Sequence, residues 1–216
     1  MVTFRFRSAD FRSGGGVMRA LIVSDVTSAY IWDHFDRRNF EGVEVVLSCG
    51  DLPASYLEFI VTLLNVPLLY VPGNHDKSFR TAPPQGCVDM DGQFARVCGK
   101  RVFGLGGCRS PHRDIHQYTE KDMARRVKRL TPLIKRKGID ILMTHAPAFG
   151  LGDGKDLFHQ GFECFRELLE RFEPCYHIFG HQHKSYSHEK PPEQAGATRL
   201  INASGHRIVD LRCFGP

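Results

Sequence analysis

VEVVLSCGDLPASYLEFIVTLLNVPLLYVPGNHD, residues 43–76, decides the fold. Its two apolar runs, 43–48 and 67–71, have strand length and are rich in aliphatic residues, as strands buried on both faces are. The stretch between them, 54–65, reads as a helix. Both runs end at glycine followed by a side chain that offers an oxygen: Gly50-Asp51, and Gly73-Asn74 after Pro72. Upstream, 20–24 (ALIVS) is a third run of the same kind and ends at Asp25. Residues 28–40 carry Tyr30, Ile31, His34 and Phe35 at helix-like spacing and read as one helix. Buried strands alternating with helices indicate a parallel α/β core. Ligands of such sheets bind beyond the carboxyl ends of the strands, so Asp25, Asp51 and Asn74 are expected as neighbours along one edge.

Downstream, shorter strands are expected at 93–97 and 101–105, and a helix at 119–136. Thr119 and Asp122 resemble an N-terminal capping pair, and Met123, Val127, Leu130 and Ile134 mark the apolar stripe of that helix. Arg125, Arg126, Lys128 and Arg129 fall mostly off the stripe, as a solvated face or a substrate-steering patch. A strand at 139–144 ends at His145. An amphipathic helix at 162–172 precedes a strand at 176–179, which ends at Gly180-His181. Residues 198–203 and 207–211 read as a closing hairpin around Ser204-Gly205.

The chain has 216 residues, enough for one domain with a core that needs no staples. Residues 1–17, with the run Gly14-Gly15-Gly16, read as a flexible appendage, and 18–216 as a single domain. The longest apolar stretch, 59–71, is interrupted by Thr62, Asn65 and Pro67, so no membrane span is expected. The seven cysteines include no C-x-x-C pair, which excludes a zinc ribbon and points to free thiols in a reducing cytoplasm. Cys49 is read as a small buried residue, not a nucleophile. The net charge of +5 suits an anionic substrate. Nucleic acid is disfavoured, because no basic stripe interleaved with aromatics is present.

The residues just beyond the strands carry the chemistry: Asp25, Gly50-Asp51, Gly73-Asn74-His75-Asp76, His145 and Gly180-His181-Gln182-His183. Taken singly, Asp25 and Asp51 read equally well as helix caps, and His145 as a packed histidine. Together they form a mixed nitrogen and oxygen donor set, which suits Mn²⁺, Zn²⁺ or iron over thiolate-loving metals. GNHD arises by chance in about one chain in a thousand of this length, so the ordered set is specific.

In these motifs the sequence resembles the calcineurin-like metallophosphoesterase superfamily, whose pattern is D-x-H, G-D, G-N-H-D/E, an isolated H and G-H-x-H. The resemblance spans residues 21–211 and is similar to a bacterial branch of that superfamily. It implies a four-layer αββα sandwich, two mixed sheets flanked by helices, and metal-dependent hydrolysis of a phosphomonoester or phosphodiester. Two divalent ions are implied, manganese first and zinc or iron as alternatives. Asp51 would bridge them, with Asn74, His145 and His181 on one ion and Asp25 and His183 on the other. His75 would be the general acid, with Asp76 orienting it. Two cations about 3.5–4 Å apart can clamp phosphoryl oxygens and activate water. The expected partner is a small phosphate-ester substrate.

One motif departs from the pattern. Where Asp-x-His is expected, the chain reads Asp25-Val26-Thr27, so the first ion lacks a ligand. That departure opens a reading of another class, a non-catalytic scaffold of the same fold with a degraded first site.

Overall fold

The computed structural model describes residues 16–183 and 192–213. The expected appendage, 1–17, lies almost wholly outside them. In chain order the elements are β1 (Met18–Ser24), α1 (Ala29–Trp32), β2 (Val45–Ser48), α2 (Ala54–Leu64), β3 (Leu68–Tyr70) and β4 (Val88–Asp89). Next come β5 (Phe94–Val97), β6 (Lys100–Leu105), β7 (Cys108–Arg109), β8 (Gln117–Tyr118), α3 (Glu120–Lys137) and β9 (Ile141–Thr144). The last are α4 (Glu163–Phe172), β10 (Tyr176–Phe179), β11 (Gln194–Ala195), β12 (Thr198–Asn202) and β13 (Gly205–Leu211).

Two sheets face each other, ordered β13-β1-β2-β3-β4 and β11-β12-β10-β9-β6-β5. In the first, β1 to β4 run parallel and β13 closes the edge antiparallel to β1. In the second, β12, β10, β9 and β6 run parallel, with β5 and β11 antiparallel at the two edges. Alternating side chains sort the core into layers. Ala20 and Ile22 of β1 point between the sheets, where they share a cluster with Ile141, Met143 and Ile178. Leu21 and Val23 point the other way and pack with Tyr56, Leu57 and Ile60 of α2. On the far side, Phe103, Leu142 and Phe179 pack against Met123 of α3 and Phe165 of α4. The result is the helix, sheet, sheet, helix order expected from the sequence. Each fully buried aliphatic or aromatic chain in these layers stabilises the fold by about 1.5–3 kcal/mol.

Two local expectations are corrected. Residues 28–40 do not form one helix: α1 stops at Trp32, and a separate 3-10 turn spans Arg37–Phe40. The Asp36 carboxylate accepts from the Arg38 backbone N–H at 3.0 Å, which starts a new turn in place of continuing the old one. Phe35 then stacks on Phe40 with centroids 5.2 Å apart, so the apolar residues are used without helical continuity. Nor do residues 198–211 form a hairpin. β12 pairs with β10 in one sheet and β13 pairs with β1 in the other, so the chain crosses between sheets at 203–204. Both strands have the alternation of a hairpin, but alternation carries no information about which sheet each will join.

All seven cysteines are free, and Cys49 is fully buried between the sheets. Burial pushes its thiol well above the ordinary range, as suits a packing residue. Among the described residues no helix is long and apolar enough to cross a membrane.

Candidate metal centre

The carboxyl ends of β1, β2 and β3 from one sheet meet those of β9 and β10 from the other, and the expected side chains stand on that shared edge. The strand ends are laced together. The Asp25 N–H donates to the Gly50 carbonyl (3.1 Å), the Val71 N–H to Ser48 (3.0 Å), and the Gly180 N–H to His145 (2.9 Å). Asp25, Asp51 and His181 all occupy the left-handed region, at φ 65°, 57° and 65°. L-residues adopt that conformation at a cost, and it clusters at functional sites. Glycines give the side chains room. A Cβ on Gly73 would stand 2.1 Å from Asp51 Oδ1 and 2.7 Å from His145 Cε1. A Cβ on Gly180 would meet Ser24 Oγ at 2.0 Å.

Asp51, His145 and His181 each offer one ligand atom, and the three atoms lie within 4.8 Å of one another. His145 is fully buried. Its Nδ1 lies 2.7 Å from the Cys49 carbonyl, an acceptor, so Nδ1 carries the proton of the neutral ring. Nε2 then faces Asn74 Oδ1 at 3.1 Å and Asp51 Oδ2 at 3.3 Å. A bare nitrogen pointed at two oxygens repels them unless a proton or a cation stands between. His181 is arranged in the opposite sense. Its Nε2 lies 2.7 Å from the Phe158 carbonyl, which leaves Nδ1 as the free nitrogen. In both rings a backbone carbonyl fixes the tautomer, as is usual for metal-binding histidines.

Asp25 sits beside this group. Its Oδ1 accepts from the His181 N–H at 2.9 Å, while its Oδ2 is buried with no hydrogen-bond partner. An orphaned carboxylate oxygen, a cradle that a single Cβ would fill, and a mixed nitrogen and oxygen donor set together fit a divalent cation. His183 lies half-buried, two residues beyond His181, and does not join the three-residue group. Thr27 is exposed, and so is His34, the next histidine along the chain.

Asp76 requires a correction. Its place in the motif suggests that it orients His75, but its Oδ2 accepts from the backbone N–H groups of Asp51 and Gly73, both at 2.8 Å. Among the described residues no hydrogen bond joins it to the His75 ring. Asp76 therefore braces the two loops that present Asp51 and Asn74. His75 is exposed, and its N–H donates to Asp51 Oδ1 at 2.8 Å.

The electrostatics follow from burial and pairing. Burial raises Asp76 to about 6 against its two backbone hydrogen bonds, and raises Asp25 as well. Burial acts against the charge on Asp51 too, but His145 and the His75 N–H outweigh it and bring the carboxyl down to about 2. Burial disfavours the His145 cation, yet Asp51 prevails and lifts the ring to about 9. His181, buried and close to that cation, falls to about 3. Without metal, then, a proton on His145 takes the place of a cation. His145 is raised above its ordinary 6.5, so its contribution to stability is complete below 6.5 and is lost as pH rises through about 9. Asp51 is lowered, so its contribution is present above 3.8 and is lost as pH falls through about 2. A metal must displace the His145 proton, so calorimetric titration at pH 7.5 is expected to release about one proton as the ion held by His145 binds. Enthalpies that do not vary with the buffer's ionisation heat would contradict this ligand assignment.

A segment not singled out from the sequence also shapes the site. Residues 150–161 form a loop that Asp153 ties at both ends, accepting from the Gly150 N–H at 2.8 Å and the Gly161 N–H at 2.9 Å. It delivers the Phe158 carbonyl to His181 and stacks His159 on the His181 ring, centroids 5.3 Å apart. Asp156 holds His159 Nδ1 at 2.7 Å. The signal was an aspartate between two glycines, Gly152-Asp153-Gly154, just before a lone histidine.

A family model described as calcineurin-like phosphoesterase matches residues 18–185. Among solved structures, TT1561 of Thermus thermophilus superposes with a TM-score of 0.58 at 15% identity. The match covers 91% of this chain and 99% of that one, and at such identity it bears on the fold alone. No curated protein matches the sequence.

Proposed function

This chain belongs to the calcineurin-like phosphoesterase family, and on that premise we propose that it hydrolyses a phosphate ester at a divalent-metal centre held by Asp25, Asp51, Asn74, His145, His181 and His183. The observation that carries this reading is the convergence of Asp51, His145 and His181 from both sheets within 4.8 Å. With it goes the His145 nitrogen facing two oxygens. When bound, divalent cations supply Lewis acidity toward phosphoryl oxygens and make water a nucleophile near neutral pH.

The remaining work falls to the chain. Asp51 sets the position of His75 by accepting its backbone N–H, and the exposed imidazole protonates the departing oxygen. Asp76 keeps the Asp51 and Asn74 loops at fixed separation, so the donors need not rearrange during the reaction. Asp25 holds the His181 backbone by one oxygen and offers the other to the centre. Thr27 supplies no imidazole, so the two ions bind unequally, and activity depends steeply on added metal.

The test is direct. Purified protein with Mn²⁺ is expected to turn over p-nitrophenyl phosphate or its bis-ester, to lose that activity to a chelator, and to regain it when metal is restored. Inertness toward both esters and a nucleotide panel would contradict the proposal and favour a scaffold role. Two equivalents bound with equal affinity would contradict the unequal sites.

A further inference from the structure

Beside the metal centre lies a groove whose chemistry the hydrolysis of a simple ester does not use. Its larger lobe, about 890 Å³, runs along α3, and its smaller lobe, about 590 Å³, lies toward the loop that carries His75. The lobes share Arg113, Asp114 and Tyr118 and so form one continuous surface. No metal-site residue lines it. Its near end is fixed to the centre through Asp114, which is ion-paired with Lys77, two residues beyond His75. Lys77 opens a 3-10 turn, Lys77–Arg80, and Arg80 at its end lines the smaller lobe. The β7–β8 ribbon that forms this wall rests on the centre's own loop, because the Gly107 N–H donates to the Pro72 carbonyl at 2.8 Å.

The charge in the groove is one-sided. Six cations line it, Arg80, Arg113, Arg125, Arg126, Lys128 and Arg129, against the carboxylates of Asp114 and Asp122. Those carboxylates are already engaged. Asp122 holds Arg113, Arg125 and the Thr119 hydroxyl, and Asp114 holds Lys77. Arg126 is matched by Asp91. Among the described residues, Arg80, Lys128 and Arg129 have no acidic partner. Cations gathered in a groove with few counter-charges attract multiply charged anions, and do so in a salt-dependent way. The solvated-face reading of the α3 charges does not account for their gathering into a concave surface.

We propose that the groove binds a further phosphate on the leaving portion of the substrate, so that the preferred substrates are small esters carrying two or more phosphates. The placement on the leaving side rests on the hydrolase reading above, in which His75 faces the departing oxygen. The capacity for a polyanion stands on the groove alone. Tyr118 lines both lobes, with the Arg126 guanidinium 4.7 Å from its ring centroid.

The experiment has two arms. Metal-stripped protein is titrated with inorganic tripolyphosphate by calorimetry, and a variant with Lys128→Glu and Arg129→Glu is compared with wild type. Both side chains are exposed on α3, so folding is expected to survive. The milder pair Lys128→Gln and Arg129→Gln covers any loss from charge reversal and gives the same ranking at smaller size. Binding is expected in wild type, to weaken as salt rises, and to fall about tenfold or more in the variant. No binding, or equal binding in wild type and variant, overturns the groove. In the second arm, Mn²⁺-loaded enzyme is assayed on p-nitrophenyl phosphate and on a nucleoside 3′,5′-bisphosphate. The variant is expected to keep its kcat/KM on the first and lose about tenfold on the second. Equal loss on both overturns the leaving-side assignment. A wild type that hydrolyses neither, yet binds tripolyphosphate as expected, defeats the hydrolase reading and leaves the anion site standing.

Discussion

Gly73→Ala is expected to abolish metal-dependent activity although it adds one methyl group. A Cβ at that position would lie 2.1 Å from Asp51 Oδ1, 2.5 Å from Asp51 Cγ and 2.7 Å from His145 Cε1, all far inside contact distance. Neither neighbour can retreat. Asp51 is fixed by the His75 N–H on its side chain and by Asp76 on its backbone, and His145 is fully buried against Cys49. One of the two donors must leave its place, so metal affinity is expected to fall by about 100-fold or more, the upper range for disturbing a ligand's support. Overpacking also costs about 1–3 kcal/mol of stability. Gly99→Ala is the control: unlike Gly73 it has a positive φ, at 75°, but nothing lies within 4 Å of the added carbon. That variant is expected to lose some stability and no activity. A Gly73→Ala protein with normal turnover would show that the loops do not need to meet as closely as the structure has them.

The second large effect is expected from Asp51→Asn, which keeps the shape of the side chain and removes its charge. The Asp51 carboxylate touches both His145 and the His75 backbone N–H. Loss of a carboxylate that holds the metals removes several kcal/mol of stabilisation, so kcat/KM is expected to fall by about 10³-fold or more. The variant also changes the metal-free protein in a way a merely damaged fold would not. Asp51 is the chief influence lifting His145 to about 9, against burial, which acts to lower it. With asparagine in place, burial is less opposed and the ring should titrate lower by NMR. An unmoved His145 titration would disprove the ion pair, whatever the activity.

The scaffold of this site was legible in the sequence because strand ends in parallel sheets are marked twice. The aliphatic run gives the strand, and the residue after it gives the function. That rule places Asp25, Asp51 and Asn74 on one edge from residue order, and marks His145 and His181 as strand-end residues without saying that their sheet meets the first. It carries no information on partners within the edge. Asp76 stands directly after His75, and adjacency suggests that it orients the ring, but its carboxylate turns inward to two backbone N–H groups. Hydrogen-bond direction is settled by tertiary packing and leaves no trace in residue order. The same holds for β12 and β13, which alternate like a hairpin and yet separate into different sheets. The loop at 150–161 was missed for another reason. Its contribution to His181 is a backbone carbonyl, that of Phe158, and any residue type supplies a carbonyl. The charges on α3 could be read from sequence only as a surface. Their gathering into a groove depends on Arg113, Asp114 and Tyr118, brought alongside by the β7–β8 ribbon.

The most direct measurement is metal content by elemental analysis, after loading with Mn²⁺ and exhaustive dialysis, for wild type beside Asp51→Asn and His181→Ala. At least one ion per chain is expected to stay with the wild type, and both variants are expected to lose it while remaining folded. A wild type that retains none, or variants that retain as much as the wild type, would mean that these side chains do not form a metal centre.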